Sequence, residues 1–476
     1  MASDATPRYA SMASADRQMI GDATLAFRNP PWPAGAEPAA DSALLAFWYA
    51  RADMPAPCAS ATSAAAPICL HPGLAILVLA LLLSIQPVTT DLYLPALPAI
   101  TNSLAAPMAA AQLTLSGLLL AFGCSQMVWG PLSDRFGRRP ILLTGLCIYT
   151  LASLGSAFAS TIAQLVLWRI AQGAAMGAAV MCARAIVRDL YTPLEGARAM
   201  SKALTGLGIV ACVCAPLGGL LSQWLGWRAA LLVLTGYALV TLALVAWRLP
   251  ETLVQRNPQA LQPRTLLRTW QQVLRNPTFW AFSLLTTTSY GGLFTFLAAS
   301  PFVYIDVLGL TRTQYGWVMA SACLAYFAGT LLCRRLLSRH GLLRTVAIAG
   351  GLSVSGGTLL ALVALLGWHQ PWALLLPFYL FMLGHGMHQP CGQSGAVGPF
   401  PKAAGVASAL SGCMTMLAAF AMGGWLGLRL DGSIWPLVNG IWFWSVLLAL
   451  VAWTLVQKFG DSTAAGTSAG DRSGRA

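Results

Sequence analysis

Gly130-Pro131-Leu132-Ser133-Asp134-Arg135-Phe136-Gly137-Arg138-Arg139-Pro140 gathers one acid and three arginines between two long apolar runs, near residues 111–131 and 140–160. The setting matters because the 476-residue chain is 57% hydrophobic and only 9% charged, whereas soluble domains carry about 25% charged residues. A charge at bilayer depth costs several kcal/mol, so charges confined between apolar runs of about 20 residues mark a polytopic membrane protein. Gly137 permits a sharp turn between two such runs. Asp134 is suited to a helix N-terminus, where unpaired amides stabilise a carboxylate. The arginines need acids on neighbouring segments, and Asp189 and Glu195 are the nearest in this half.

On both sides of this turn the pattern repeats. Apolar runs predict spans near 73–99, 111–131, 140–160, 163–187, 198–222 and 228–248, then near 278–300, 314–333, 345–367, 371–394, 403–427 and 435–456. In hydrocarbon each backbone amide needs an internal partner, so runs of this length are helices. Lys and Arg crowd the loops on one side, while the other side holds only Arg228, Arg312 and Arg429. That bias places both termini in the cytoplasm and accounts for the net charge of +13 without nucleic acid, which needs basic residues on one exposed face. Eleven cysteines include no CxxC pair, so neither a disulfide framework nor a metal site is expected, and no cofactor is.

The predicted organisation is all-α: an N-terminal cytoplasmic extension over 1–71, rich in Ala, Ser and Pro and expected to be disordered, a six-helix bundle over 72–249, a central cytoplasmic loop over 250–277, a second six-helix bundle over 278–456, and a disordered tail over 457–476. A short interfacial helix around Phe47-Trp48-Tyr49 fits the extension, and Met54 is an alternative start. Two six-helix halves are the layout of transporters that bind substrate between repeats near the midplane. The positional counterpart of the first turn, Arg334 to Arg344 (RRLLSRHGLLR), keeps the basic residues and a glycine but no acid.

Three further segments carry chemistry. Asp91-Leu92-Tyr93-Leu94-Pro95-Ala96-Leu97-Pro98 ends the first span, and its prolines remove backbone donors and favour a broken helix end. Asp91 is the only acid within any predicted span, which makes it a functional candidate by default; as a structural acid it would pair with Arg169 or cap a broken helix. In the fourth span, Arg169-Ile170-Ala171-Gln172-Gly173-Ala174-Ala175-Met176-Gly177 puts Arg169 within a turn of the depth of Asp91 at 1.5 Å per residue. Gly173 and Gly177 lie on one face and admit a neighbouring helix closely. Pro216-Leu217-Gly218-Gly219 in the fifth span allows bending and tight packing. His385 and His388 share a helix face, as a proton relay or a packing pair. The aromatics Phe294, Phe296, Tyr304, Tyr326, Phe378, Tyr379 and Phe381 are candidates for an apolar pocket, with a minority expected to line it. The second half has no charge within its predicted spans, so coupling is expected in the first.

These segments resemble the major facilitator superfamily. The turn matches its GxLxDRxGRR signature, and the fourth span matches its RxxQG element. The fifth span is similar to the GPxxGG element of drug:proton antiporters, with one residue fewer between Pro216 and Gly218. DLYLPALP, RAIVRD at 184–189, AASPFV at 298–303 and AAGVASALSG at 403–412 resemble the Bcr/CflA branch of drug exporters. The resemblance implies drug efflux driven by inward proton flow, with the bundles rocking about a central site. It implies that Asp91, Tyr93, Arg169 and Gln172 serve coupling or substrate. Gly130, Asp134, Arg135, Gly137, Arg138, Arg139, Arg184 and Asp189 would form a latch between the halves, and Gly173, Gly177, Pro216, Gly218 and Gly219 would serve packing and gating. The expected partners are a small-molecule substrate, protons and the lipid bilayer of a bacterial inner membrane, with the chain a monomer. The alternatives are a dedicated carrier for one amino acid, polyamine or sugar derivative, and, with no GxxxxGK[ST] or HExxH motif to support it, a membrane enzyme or sensor.

Overall fold

The computed structural model describes residues 72–460 apart from 192, 254, 255, 259, 401 and 402; the expectations for 1–71 and 461–476 lie outside the described residues. Helices α1 (Pro72–Asp91), α2 (Leu97–Ser103), α3 (Met108–Phe136), α4 (Arg138–Ala157), α5 (Ile162–Leu190), α6 (Pro193–Trp224) and α7 (Trp227–Arg248) come first. They are followed by α8 (Pro263–Leu274), α9 (Pro277–Pro301), α10 (Arg312–Leu365), α11 (Pro371–Val397), α12 (Ala404–Arg429), α13 (Trp435–Trp453) and α14 (Leu455–Phe459). Among the described residues there is no strand.

Ten of these helical segments are long and apolar enough to cross a bilayer by length and composition. One of them, α10, turns at Gly341 (φ 74°) into arms of 312–340 and 342–365. Helix α11 also has the length, at 27 residues, but His385, His388, Gln389 and Gln393 lower its apolarity. Counting the two arms of α10 separately and adding α11 gives twelve helical segments of membrane-spanning length among the described residues. Trp247 and Leu428 are each 83% exposed, an outer surface that suits hydrocarbon rather than water.

Local chemistry sets the helix ends. Pro95 has no N–H to offer the carbonyl of Asp91, so α1 stops there and the chain continues through a 3-10 turn, Leu94–Ala96, into α2. Thr311 caps α10 by accepting from Gln314 N while the Gln314 side chain accepts from Thr311 N, a reciprocal capping box. Asn276 accepts from Thr278 N at 2.8 Å to start α9.

Helices α3 and α5, α4 and α5, α4 and α7, and α1 and α6 pack within residues 72–248. Helices α10 and α11, α10 and α13, and α9 with α11, α12 and α13 pack within residues 277–459. Helix α3 lies along α12, and α6 along α10, joining the two sets. Cβ-free surfaces let backbones approach: a Cβ on Gly173 would overlap the Leu118 carbonyl, one on Gly218 the Leu92 carbonyl, and one on Gly219 the Arg312 carbonyl.

Three sequence expectations need correction. The loop expected over 250–277 contains α8, because Leu266, Trp270 and Val273 recur at helical spacing and turn inward while Pro263 opens the helix. The tail expected from residue 457 begins helical, since α14 reaches Phe459 after a break at Thr454. The second set of helices also carries charge. Asp306 lies in a π-helical turn, Phe302–Val307, that continues α9, and α10 runs beyond its apolar stretch to include Arg334, Arg335, Arg339 and Arg344.

Candidate functional site

A cavity of about 310 Å³ lies among α1, α3, α5, α6, α9, α10, α11 and α12. Asp91 enters its wall from the broken end of α1, and Tyr290, Tyr326 and His385 enter from the second set of helices. Asp91 is 8% exposed and accepts a hydrogen bond from Thr90 Oγ1 at 2.8 Å. Among the described residues it has no ion pair: the only two both involve Arg138.

Arg169 is brought to the depth of Asp91 but not to its carboxylate. Its Nη2 donates to the Thr89 carbonyl at 3.3 Å, its Nε to the Thr114 carbonyl at 3.4 Å, and its Nη1 to Gln172 Oε1 at 2.8 Å. The guanidinium lies 4.1 Å from the centre of the Tyr93 ring, and a desolvated contact of that kind is worth about 2 kcal/mol. Gln172 Nε2 donates to Ser153 Oγ at 2.6 Å, and the Tyr93 and Thr114 hydroxyls share a hydrogen bond of 2.7 Å. Arg169, Tyr93 and Gln172 thus form one sealed polar cluster, each 1% exposed or less, and none of them reaches the cavity wall. Thr89 and Tyr93 share a helix face, and a residue two positions from each points the other way; Asp91 accordingly turns to the cavity.

The turn at Gly137 (φ 109°) separates α3 from α4. Arg138 binds Asp134 Oδ1 through Nη1 at 2.5 Å, Asp189 Oδ2 through Nε at 2.9 Å and Ser133 Oγ at 2.7 Å. Glu251 completes the cluster from beyond α7. Its carboxylate accepts from Arg138 N at 2.8 Å, Arg139 N at 3.2 Å, and Thr252 N and Leu253 N at 3.0 Å each. Arg139 Nη2 donates to the Ala246 carbonyl at 2.8 Å, Arg135 is exposed above the Phe136 ring, and Gly130 rests on Met181. The partners recorded for Asp134, Arg138, Arg139, Asp189 and Glu251 all lie between residues 133 and 257, so these contacts join α3, α4, α5 and the start of the connecting segment rather than the two sets of helices.

Arg184, grouped with that latch by resemblance, is elsewhere. It lines the cavity and donates through Nη1 to Ser408 Oγ on α12 at 3.0 Å. Pro216 and Gly219 lie where α6 meets α10, with Gly316 against Pro216. Phe296, Tyr326 and Phe378 belong to the cavity wall, Phe294, Tyr304 and Phe381 are buried behind it, and Tyr379 donates to Ser321 Oγ at 2.7 Å. His385 shares a 2.8 Å hydrogen bond between Nδ1 and Ser289 Oγ, whereas neither ring nitrogen of the buried His388 meets a partner among the described residues. No hydrogen bond links the two rings. The residues not anticipated are Glu251, too distant in sequence to be linked to the turn, and Tyr290, whose signal was only an aromatic inside a span.

Comparison with known proteins gives four likenesses. Residues 79–424 match the family model described as Major Facilitator Superfamily. A "Chloramphenicol resistance protein" of Pseudomonas aeruginosa is 30% identical, the match covering 68% of this chain and 76% of that protein. "Multidrug resistance protein D" of Escherichia coli strain K12 is 33% identical, covering 71% and 84%. Among solved structures, the proton:xylose symporter XylE bound to 6-bromo-6-deoxy-D-glucose superposes with a TM-score of 0.64 at 17% identity, covering 82% of this chain and 96% of that one. The last is a likeness of fold alone.

Proposed function

This chain belongs to the major facilitator superfamily and is therefore a multi-pass membrane transporter rather than an enzyme; from that premise we propose that it exports small lipophilic compounds, drugs among them, across the bacterial inner membrane in exchange for protons. Two relatives named for drug resistance support the substrate class, and so does the resemblance of DLYLPALP and its companion segments to Bcr/CflA-type exporters. The observation that carries the reading is Asp91, a carboxylate without an ion pair among the described residues, in the wall of a mostly apolar cavity between the two sets of helices. A carboxylate so placed is costly unless it has a use. Its two states differ by a full charge facing the substrate volume, which is what exchange of a proton for a cargo requires.

In this reading residues 72–249 and 278–456 rock against each other and open the cavity to each side in turn. Three hydrogen bonds support closure at the end away from Gly137: Arg312 Nη1 to the Ser222 carbonyl at 2.6 Å, Thr313 Oγ1 to Gln223 Oε1 at 2.7 Å, and Gln112 Nε2 to the Ala298 carbonyl at 2.7 Å. With the Lys- and Arg-rich loops cytoplasmic, that is the outer end, and cargo enters from the cytoplasm. Arg169 holds α1, α3 and α5 together behind Asp91 and acts on coupling by fixing the end of α1.

The test is quenching of a pH dye in inverted vesicles. Adding a lipophilic substrate to energised vesicles releases lumenal protons, and the Asp91→Asn variant abolishes that release while still binding substrate. A variant with full, pH-dependent transport removes Asp91 from the coupling step; transport insensitive to the proton gradient overturns antiport itself. A carrier dedicated to one metabolite would export a single compound from a substrate panel in an efflux-deficient host.

A further inference from the structure

The cavity has an aromatic wall contributed by the second set of helices, and it is ordered. The Phe296 and Phe378 rings stack at 3.9 Å and 15°, Phe378 and Phe381 at 5.8 Å and 15°, and Phe381 and His385 at 6.4 Å and 13°. Tyr326 closes the row at 5.5 Å from the His385 ring, tilted by 44°. Phe378, Phe381 and His385 follow one another at spacings of three and four along α11, so a single helix face presents them in register. The near-parallel planes form a stepped shelf, and Phe296, Phe378, His385 and Tyr326 reach the cavity from it.

His385 is the polar member of this row. Ser289 on α9 holds Nδ1, which fixes the ring's orientation, while the hydroxyl, able to donate or accept, fits either tautomer. Among the described residues no hydrogen bond uses Nε2, although the ring is only 3% exposed. Nε2 keeps a little exposure in a residue that lines the cavity, so that nitrogen is available to cargo. The titratable groups that share the cavity wall with His385 are Asp91 on α1, Arg184 on α5, Tyr290 on α9, and Cys323 and Tyr326 on α10, and His388 follows three residues later on its own helix.

We propose that His385 selects the cargo: through Nε2 it recognises flat aromatic compounds that carry a hydrogen-bonding group on the ring edge, while the shelf beside it stacks the ring. This rests on the cavity being the transport site. Stacking is tolerant because every flat ring has a π face, and the hydrogen bond is the discriminating contact. A neutral hydrogen bond changes affinity by about three- to tenfold.

Three acridines separate the two contributions in the detergent-solubilised full chain, read by the anisotropy of their own fluorescence. Proflavine has N–H donors on its edge, 10-methylacridone has a carbonyl acceptor and no N–H, and 10-methylacridine orange has the proflavine ring with every nitrogen fully substituted. His385→Phe keeps an aromatic ring and deletes the hydrogen bond. It is expected to weaken proflavine or 10-methylacridone by about three- to tenfold and to leave 10-methylacridine orange within about twofold. Which of the first two loses affinity identifies the tautomer. Retained 10-methylacridine orange binding shows that the variant is folded. Tyr326→Leu is expected to weaken all three dyes while leaving displacement by tetraphenylphosphonium, which is not flat, unchanged. Equal loss of all three dyes in His385→Phe, or loss of none, overturns the selection role and leaves the transporter reading intact. If no dye binds the unchanged protein, the selection role falls, and the vesicle assay decides the exporter reading separately.

Discussion

Gly137 joins α3 to α4 at φ 109°, and Gly341 joins the two arms of α10 at φ 74°. The backbones solve the same problem, a near reversal between two membrane helices, with the same residue. Their surroundings differ. Asp134, Asp189 and Glu251 enclose Arg138 and the first turn of α4, whereas Arg334, Arg335, Arg339 and Arg344 stand exposed around Gly341 with no ion pair among the described residues. Both turns are basic; only the first has been made into a fastened joint. Charge that only marks a side of the membrane needs no partner, and charge that holds helices together needs several.

Substitutions at matched positions can break or sharpen this contrast. The largest effect is expected for Arg138→Gln, which leaves two carboxylates facing each other. Asp134 is 46% exposed, so the loss is about 2 kcal/mol, below the 3–5 of a fully buried pair, while Arg339→Gln stays within about 0.5 kcal/mol. Thermal unfolding in detergent compares them, and equal losses erase the contrast. Gly137→Ala comes next at about 2 kcal/mol, since the positive φ is strained for any side chain and the added Cβ falls on the Glu251 carboxylate. At Gly341 a Cβ meets nothing within 4 Å, leaving the strain of about 1 kcal/mol alone. Glu251→Gln removes the charge from an acceptor of four amides and is expected to cost about 1 kcal/mol, with increased proteolysis near residue 251 as a second readout. Ser338→Asp, placed three residues before Gly341 as Asp134 is before Gly137, should change stability by less than about 0.5 kcal/mol. A larger gain would show that one acid is enough to build the joint.

The spans and the first turn were legible because hydrocarbon imposes length and glycine marks the reversal. The broken end of α1 was legible from Pro95 and Pro98, whose missing donors no tertiary contact can restore. The pairing of Asp91 with Arg169 was open to question from the sequence itself: depth follows from counting, but facing follows from the helical period, and Thr89 and Tyr93 bracket Asp91 on the opposite face. Helix α8 was hidden because its 12 residues are too short to span and mix Leu266, Trp270 and Val273 with Arg264, Arg268, Gln271 and Gln272, so it read as a polar loop. Glu251 acts on residues more than a hundred positions away, a contact that local pattern cannot reveal. His385 was visible only as one of two equivalent histidines, and packing against Ser289 and Tyr326 is what distinguishes it from His388.

The grip of Glu251 on the start of α4 also sets a mechanical limit. The connecting segment leaves α7 at Arg248 but is tied down again at Glu251, and Asn257 N donates to the Asp134 carbonyl at 3.0 Å. Six residue steps separate Asn257 from Pro263, where α8 starts. A fully stretched chain covers at most about 3.6 Å per residue, so this leash gives roughly 20 Å of travel. In the proposed rocking motion, the anchors at Glu251 and Asn257, more than the length of the segment in the gene, set how wide the cavity opens.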